Sequence, residues 1–474
     1  LTETINGVKH TINYTYDEDN RLTGTTYVGL ANGEDVSETI VYDDYGRIRT
    51  INVKNNGAGG VSSWFQYANS NIGRYETTRP VYMYTFGASG DTLYSNYKYD
   101  ANGNITSYLM YGENQIVWDN IYESPTIMGE STYHYDTANQ LVREDNWWLG
   151  KTFVWTYDDA GNITSSKEYA YTNSQNPVSG TPIKTNTYTY GDSAWGDLLT
   201  AYNGVQWCYD EIGNLTYDDA WHYTWRNGRE LASMSNSSTT WNYTYDANGM
   251  RTSRSNGSTT YNYVYNGSQL TQMTKGSDTL YFTYGINGPT TVTWNGTTYY
   301  YALNAQGDVI GIFDDGGNGV VLYNWDNAWG YHPQPEGPMA DTLGTLNPLR
   351  YRSYVYDTET GLYYLQSRYY NPEIGRFINA DALVSTGQGL LGNNMFAYCG
   401  NNPLTFRDDS GNIPTPTILK ISADGVQDYS GTLGTYNELK KLVKGNPLYE
   451  VHHLIEQRFY VVKGVRTYYG KPGH

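Results

Sequence analysis

Residues 94–108 read YSNYKYDANGNITSY, and the fold can be worked outward from them. Side chains alternate across a strand, so the rings of Tyr97 and Tyr99 share one face and Lys98 takes the other. Asp100 to Asn104 follow as turn residues, and Asn102-Gly103 offers the positive φ angles of a tight hairpin turn. Ile105 and Thr106 open a returning strand. One such hairpin cannot bury its apolar face alone and has to lie against neighbours.

The neighbours are written in the same language. INYTYDEDNRLTGT starts at Ile12, ETIVYDDYGRIRTI at Glu38, STYHYDTANQLVRE at Ser131 and FVWTYDDAGNITSS at Phe153. QWCYDEIGNLTYDD starts at Gln206, WNYTYDANGMRTS at Trp241 and YNYVYNGSQLTQM at Tyr261. The kernel is an alternating aromatic run, Tyr-Asp, a Gly/Asn turn, then an apolar residue and Thr or Arg. Tyr245, Tyr265 and Tyr284 stand 20 and 19 residues apart. A fixed period of this size marks a repeat architecture. The expected product is one long, continuous antiparallel sheet.

Composition agrees. The 474 residues include 52 Tyr, 51 Gly and 13 Trp but only 9 Phe, which suits strands joined by tight turns and excludes a disordered chain. The net charge is −18, unevenly spread. From Ile413 onward eight Lys/Arg face five Asp/Glu, so the tail is basic and the body strongly acidic. Nucleic acid is disfavoured as a partner of the body and not of the tail. Cys208 and Cys399 cannot make a disulfide framework. No apolar run reaches the ~18–20 residues that span a membrane. The opening LTETINGVKH reads as mid-repeat sequence with no secretion signal, so the chain is expected to be part of something longer.

Two local patterns have plain explanations. Asp100–Asn104 and Asp158–Asn162 resemble the start of a calcium loop but lack the Glu at its twelfth position. They read as turns. Asn104-Ile105-Thr106 and Asn214-Leu215-Thr216 match glycosylation acceptors and read as strand starts. Between Trp294 and Trp329 two longer hairpins are expected, with turns at 306–308 and 315–319. The Pro-rich run 331–348 has loop composition.

The segment Arg350–Gly411 then departs from the repeat. Its blocks YDTETGLYYLQSRYYNPEIGRF and NMFAYCGNNP resemble the core of Rhs and other YD-repeat proteins, at similar spacing. The resemblance implies that the repeats spiral into a hollow, cocoon-like shell, here a partial one, that the core plugs it, and that a variable toxin follows. It also implies self-cleavage by two aspartates beside a DPxGL element. Asp381 in NADAL and Asp408 in RDDSGN take those places, with the cut after Asn412. One carboxyl would act as acid and the other as base. Here Ala382 and Asp409 stand where the family has Pro, and Asn412 replaces Leu. These departures favour a tail that stays linked.

In the tail, Leu439, Leu442 and Val443 lie at helical spacing within 435–445. NPLYEVHHLIEQRF follows and resembles HNH/endonuclease VII-like toxin domains. The resemblance implies His452 as a metal ligand, His453 as the general base, Arg458 as a phosphate contact, and a divalent metal, Mg or Zn. Only 21 residues follow His453, so the domain is expected to be truncated and inactive as it stands. The shell itself calls for no cofactor.

The expectation is an all-β YD-repeat shell over 1–346, a core or plug over 347–412, and a small α+β tail over 413–474. Its function would be to enclose and deliver a nuclease-type toxin in competition between bacteria. Partners would be its own tail as cargo, a cognate immunity protein and nucleic acid. Secretion or attachment to the cell wall is expected of the intact protein. The alternatives are a Tyr-rich adhesin or carbohydrate-binding repeat protein without catalysis, and a structural spacer.

Overall fold

The structure is a computed structural model. It describes residues 2–5, 8–30, 32–67, 78–113, 126–173, 178–323, 327–331, 334–383, 391–417, 425–427 and 433–435.

Each kernel aspartate folds its own turn. Asp100 Oδ1 accepts the Asn104 N–H at 2.9 Å, and Oδ2 accepts the Asn104 side-chain amide at 2.9 Å. The same pair recurs at Asp158–Asn162 and Asp210–Asn214. At Asp17–Arg21 and Asp43–Arg47 a guanidinium replaces the amide. Asp100 and Asp158, which open the two calcium-like runs, thus spend their oxygens on turn chemistry. Asn104 and Asn214 are buried at the strand starts.

The turn differs from the tight form expected. Gly103 has φ 86°, but Asn102 is not among the positive-φ residues, and the pairing shifts by one between Lys98 and Tyr99. The loop is therefore a type I turn with a glycine bulge. The aspartate oxygen supplies the acceptor that stabilises this longer loop. Where glycine is missing, Asn20 and Asn139 take the same left-handed conformation at φ 60° and 61°.

A tyrosine at the strand end before a turn, in the Tyr-Asp kernels and also at Tyr67 and Tyr190, has a second role. Its hydroxyl reaches the start of the preceding strand and donates to a backbone carbonyl there. Tyr67 reaches Ile48, Tyr99 reaches Pro80, Tyr135 reaches Ile105, Tyr157 reaches Leu141 and Tyr190 reaches Ile163, all at 2.5–2.9 Å. Trp225 does the same through Nε1 to Leu215. Where this bond forms, the turn is stitched to the one before it; at Tyr245 the hydroxyl instead pairs with that of Tyr369 in the core.

Among the described residues the strands order themselves strictly as they follow in the chain, in a sixteen-stranded and a thirteen-stranded antiparallel sheet. The single continuous sheet expected from the repeat is interrupted at Trp207. The ring of Trp207 is buried and packs on Tyr202 at 6.0 Å, and the backbone N–H of Trp207 turns back to the Thr200 carbonyl. Neither sheet closes into a barrel. The second sheet instead returns onto the first. Thr298 Oγ1 donates to Glu34 Oε2 at 2.6 Å, and the Ile286 N–H donates to the buried Glu38 carboxylate at 3.1 Å.

The two hairpins expected before the core are present, as strands Thr297–Leu303, Val309–Phe313 and Gly319–Leu322. The run expected to be loop contains one short helical turn, Ala340–Gly344. The core adds a four-stranded sheet of Val355–Asp357, Leu362–Tyr364, Tyr369–Asn371 and Arg376–Phe377. Its rings, including Tyr351, Tyr363, Tyr370 and Tyr398, join one hydrophobic cluster that extends from Ile12 to Leu404. Its polar side chains land on turns of both sheets. Asn402 meets Asn104, Asn401 meets Gln140 and Gly161, Arg376 meets Asn162, and Arg352 pairs with Asp308. The described part of the tail holds Thr415–Pro416, paired with Phe406–Arg407 of the core, and two short strands paired with each other, Gly425–Gln427 and Leu433–Thr435. The helix expected over 435–445 lies outside the described residues from 436 on.

Candidate functional site

The core brings Asp381 and Asp408 to one guanidinium. Arg368 Nη2 lies 2.9 Å from Asp381 Oδ2 and 3.2 Å from Asp408 Oδ2, so the two carboxylates are within about 6 Å of each other. All three residues are buried. Arg368 immediately precedes the strand Tyr369–Asn371 and lies over the Phe377 ring at 3.5 Å. Its Nη1 donates to the Met395 carbonyl at 3.0 Å, and its Nε donates to the Gly411 carbonyl.

Each aspartate has one oxygen fixed by backbone. Asp381 Oδ1 accepts the Leu383 N–H at 2.8 Å, and Asp408 Oδ1 accepts the Asn412 N–H at 3.0 Å. Asp408 also donates its own N–H to Tyr354 Oη at 2.6 Å. Burial raises both carboxyls above the usual carboxylate range, against the pull of Arg368, and the charge of Asp381 raises Asp408 further. One cation shared by two buried carboxylates favours a state with a single proton between them. That state contains one acid and one base.

The run DDSGN is a copy of the repeat turn. Asp408 accepts the N–H four residues on, and Gly411 has φ 71°, as at Asp100–Asn104. One difference matters chemically. In the repeats the second carboxylate oxygen holds the side chain of the fourth residue. At Asp408 it holds Arg368, and the Asn412 amide turns to the Ser410 carbonyl instead. The peptide group that the site grips directly is Gly411–Asn412: Arg368 holds its carbonyl and Asp408 its N–H. The expected cut, Asn412–Ile413, is the next peptide along, with Ile413 exposed.

Arg368 is the site residue that sequence reasoning missed. A lone arginine inside the ring-rich run LYYLQSRYYN is a usable signal, because a buried charge requires partners. His452, His453 and Arg458 lie outside the described residues, as does any site they would make for a metal.

No family model matches the chain. It is 32% identical over 287 residues to the tRNA nuclease WapA of Bacillus subtilis (strain 168), covering 58% of this chain and 12% of that protein. It is 41% identical over 64 residues to the toxin protein Tse5 of Pseudomonas aeruginosa, covering 14% of this chain and 5% of that protein. The chain thus spans a small part of the length of these relatives. In fold it resembles the crystal structure of TcdB2-TccC3-Cdc42, with a TM-score of 0.59 and 19% identity, covering 85% of this chain and 22% of that one. With its stitched Tyr-Asp hairpins and the core that follows them, the chain is similar to the Rhs/YD-repeat proteins of the polymorphic-toxin family.

Proposed function

We propose that this chain is the shell and core of a toxin carrier, which encloses and delivers its C-terminal segment in competition between bacteria. The observation that supports this reading is the way the core reaches turns on both sheets. A segment that ties distant hairpins together and then leads into the tail is built as a plug. The toxins among the relatives favour the carrier over an adhesin.

The tail is the cargo, of nuclease type, with His453 as general base and His452 as ligand to a divalent metal. A cognate immunity protein would protect the producing cell, and secretion or wall attachment would bring the carrier to its target. Trypsin applied to the native full chain tests the enclosure. Protection of Lys440, Lys441 and Lys444 until urea unfolds the shell supports it; prompt cutting there beside an intact shell rejects it. A nuclease assay with magnesium or zinc, repeated on His453→Ala, tests the tail's chemistry.

A second reading rests on the Asp381–Arg368–Asp408 cluster, which is assembled despite the missing prolines. In this reading the ionised aspartate takes a proton from water, and the hydroxide adds to the Asn412 carbonyl carbon. The protonated aspartate gives its proton to the Ile413 nitrogen as the amide bond breaks. The products are a new carboxyl at Asn412 and a new amine at Ile413. The intact mass of purified protein tests this reading. A fragment starting at Ile413, lost in Asp381→Asn and Asp408→Asn, supports it, and a single uncut species rejects it.

A further inference from the structure

The Asp381 limb of the site is not built by the core alone. Residues 378–381 run as an added strand against the shell hairpin at 210–215. The Leu215 N–H donates to the Ile378 carbonyl at 3.0 Å and the Ala380 N–H to the Gly213 carbonyl at 3.0 Å, with Asn214 and Asn379 paired between them. Asn379 Oδ1 also accepts the N–H of Tyr369, the neighbour of Arg368, at 3.1 Å. One four-residue run therefore joins the shell, the arginine strand and Asp381.

The next shell hairpin adds a cation. Arg229 Nη1 donates to the Ala380 carbonyl at 2.5 Å and to the Ile212 carbonyl at 3.2 Å. Its charge favours the ionised form of Asp381. The strand approach is close: a Cβ on Gly213, at φ 83°, would lie 2.8 Å from the Ala380 Cβ and 2.6 Å from the Trp195 ring. Without the shell hairpin, 378–381 would lose its partner strand and Asp381 the frame that sets it against Arg368.

We infer that the shell hairpin 210–215 and Arg229 are positioning elements of the aspartate pair, so that self-cleavage starts only after the shell has docked on the core. This rests on the self-cleavage reading. The cut then reports completed assembly, and a half-folded chain keeps its tail attached. The charged groups around Asp381 are Arg368 and Asp408 of the core and Arg229 of the shell. Arg229 acts through Asp381 and touches no reacting atom.

The test follows the intact mass of the full chain over time across a range of pH, for wild type, Arg229→Ala, Arg229→Lys and Gly213→Ala. Misplacing a reacting group by about an ångström costs up to ~100-fold in rate, so Arg229→Ala and Gly213→Ala should cut at least ~10-fold more slowly. In Arg229→Ala the acidic limb of the pH profile should also move to higher pH, because Asp381 loses a cation. Arg229→Lys should restore both rate and limb. Wild-type rate and limb in Arg229→Ala would overturn the inference. So would a loss of rate with the limb unmoved, which is how a merely structural arginine behaves. Should Arg229→Ala not fold, Arg229→Gln reads the charge and Gly213→Ala the strand, and wild-type behaviour in both overturns the inference. A wild type that stays whole at every pH removes the self-cleavage reading itself.

Discussion

Arg251 of the shell and Asp357 of the core form a bidentate ion pair with neither side chain exposed, Nη1 to Oδ2 at 2.5 Å and Nη2 to Oδ1 at 2.8 Å. Rings of Tyr364 and Tyr263 lie 4.5 and 4.8 Å from the guanidinium, and Arg254 stands 3.3 Å from the same carboxylate. Taking both ions out of water costs several kcal/mol each, so the pair fixes where the core sits more than it adds net stability. Asp357→Ala strands the buried Arg251, while Arg254 keeps Glu359, and should lower stability by about 3–5 kcal/mol. Arg251→Ala should cost less, because Arg254 still serves Asp357. Urea unfolding followed by tryptophan fluorescence checks the order, and equal losses would contradict it.

Glu38 gives a pH signature. Burial pushes its carboxyl up to about 7, and among its partners the Ile286 N–H of the second sheet only partly offsets this. In the unfolded chain it titrates near ~4.3. Between these values the folded state holds a proton that the unfolded state has lost. The contribution is therefore full below pH ~4.3 and declines as pH rises through about 7, by roughly 4 kcal/mol in all. Melting temperatures of wild type and Glu38→Gln between pH 4 and 8 test this; identical pH dependence in the two proteins would rule it out.

The tyrosine stitch can be weighed with one atom. Tyr157→Phe removes the hydroxyl and leaves the Leu141 carbonyl without that donor, a cost of about 1–2 kcal/mol. Tyr16, exposed at the head of the series, should lose no more than ~0.5 kcal/mol in the same change. Unfolding midpoints of the two variants compare them directly.

If the aspartate pair cuts, its rate should rise and then fall with pH, centred above the ~4 of ordinary carboxylates because burial raises both groups. At low pH no base remains, and at high pH no acid. Asp408→Asn should abolish the cut, whereas Asp409→Asn, whose partner is the neighbouring Arg407, should leave it within about threefold. A monotonic profile would exclude a shared proton.

The sequence was informative where contacts are local. Alternating rings and a turn aspartate lie within a few residues of each other, so the hairpins and the all-β fold could be read directly. Contacts between kernels could not. Tyr135 and Ile105 are 30 residues apart, and nothing near Tyr135 names its partner. The interruption at Trp207 depends on a ring finding a pocket, which period alone does not reveal. Asp381 and Asp408 were legible through the family pattern, but the arginine between them was not. Arg229 is 151 residues from Ala380, beyond any local rule. That DDSGN repeats the D-x-x-G-N turn was visible in the letters and tells what Asp408 does besides chemistry.

The stitch from each tyrosine to the previous turn has a consequence for how such chains can change. Every bond of this kind joins one hairpin to the one before it and to no other. Duplicating or deleting a whole hairpin leaves all remaining stitches with a partner, whereas adding a single strand would put tyrosines on the wrong edge. Sheet length can thus grow or shrink in units of one hairpin, by copying or losing a short stretch of gene.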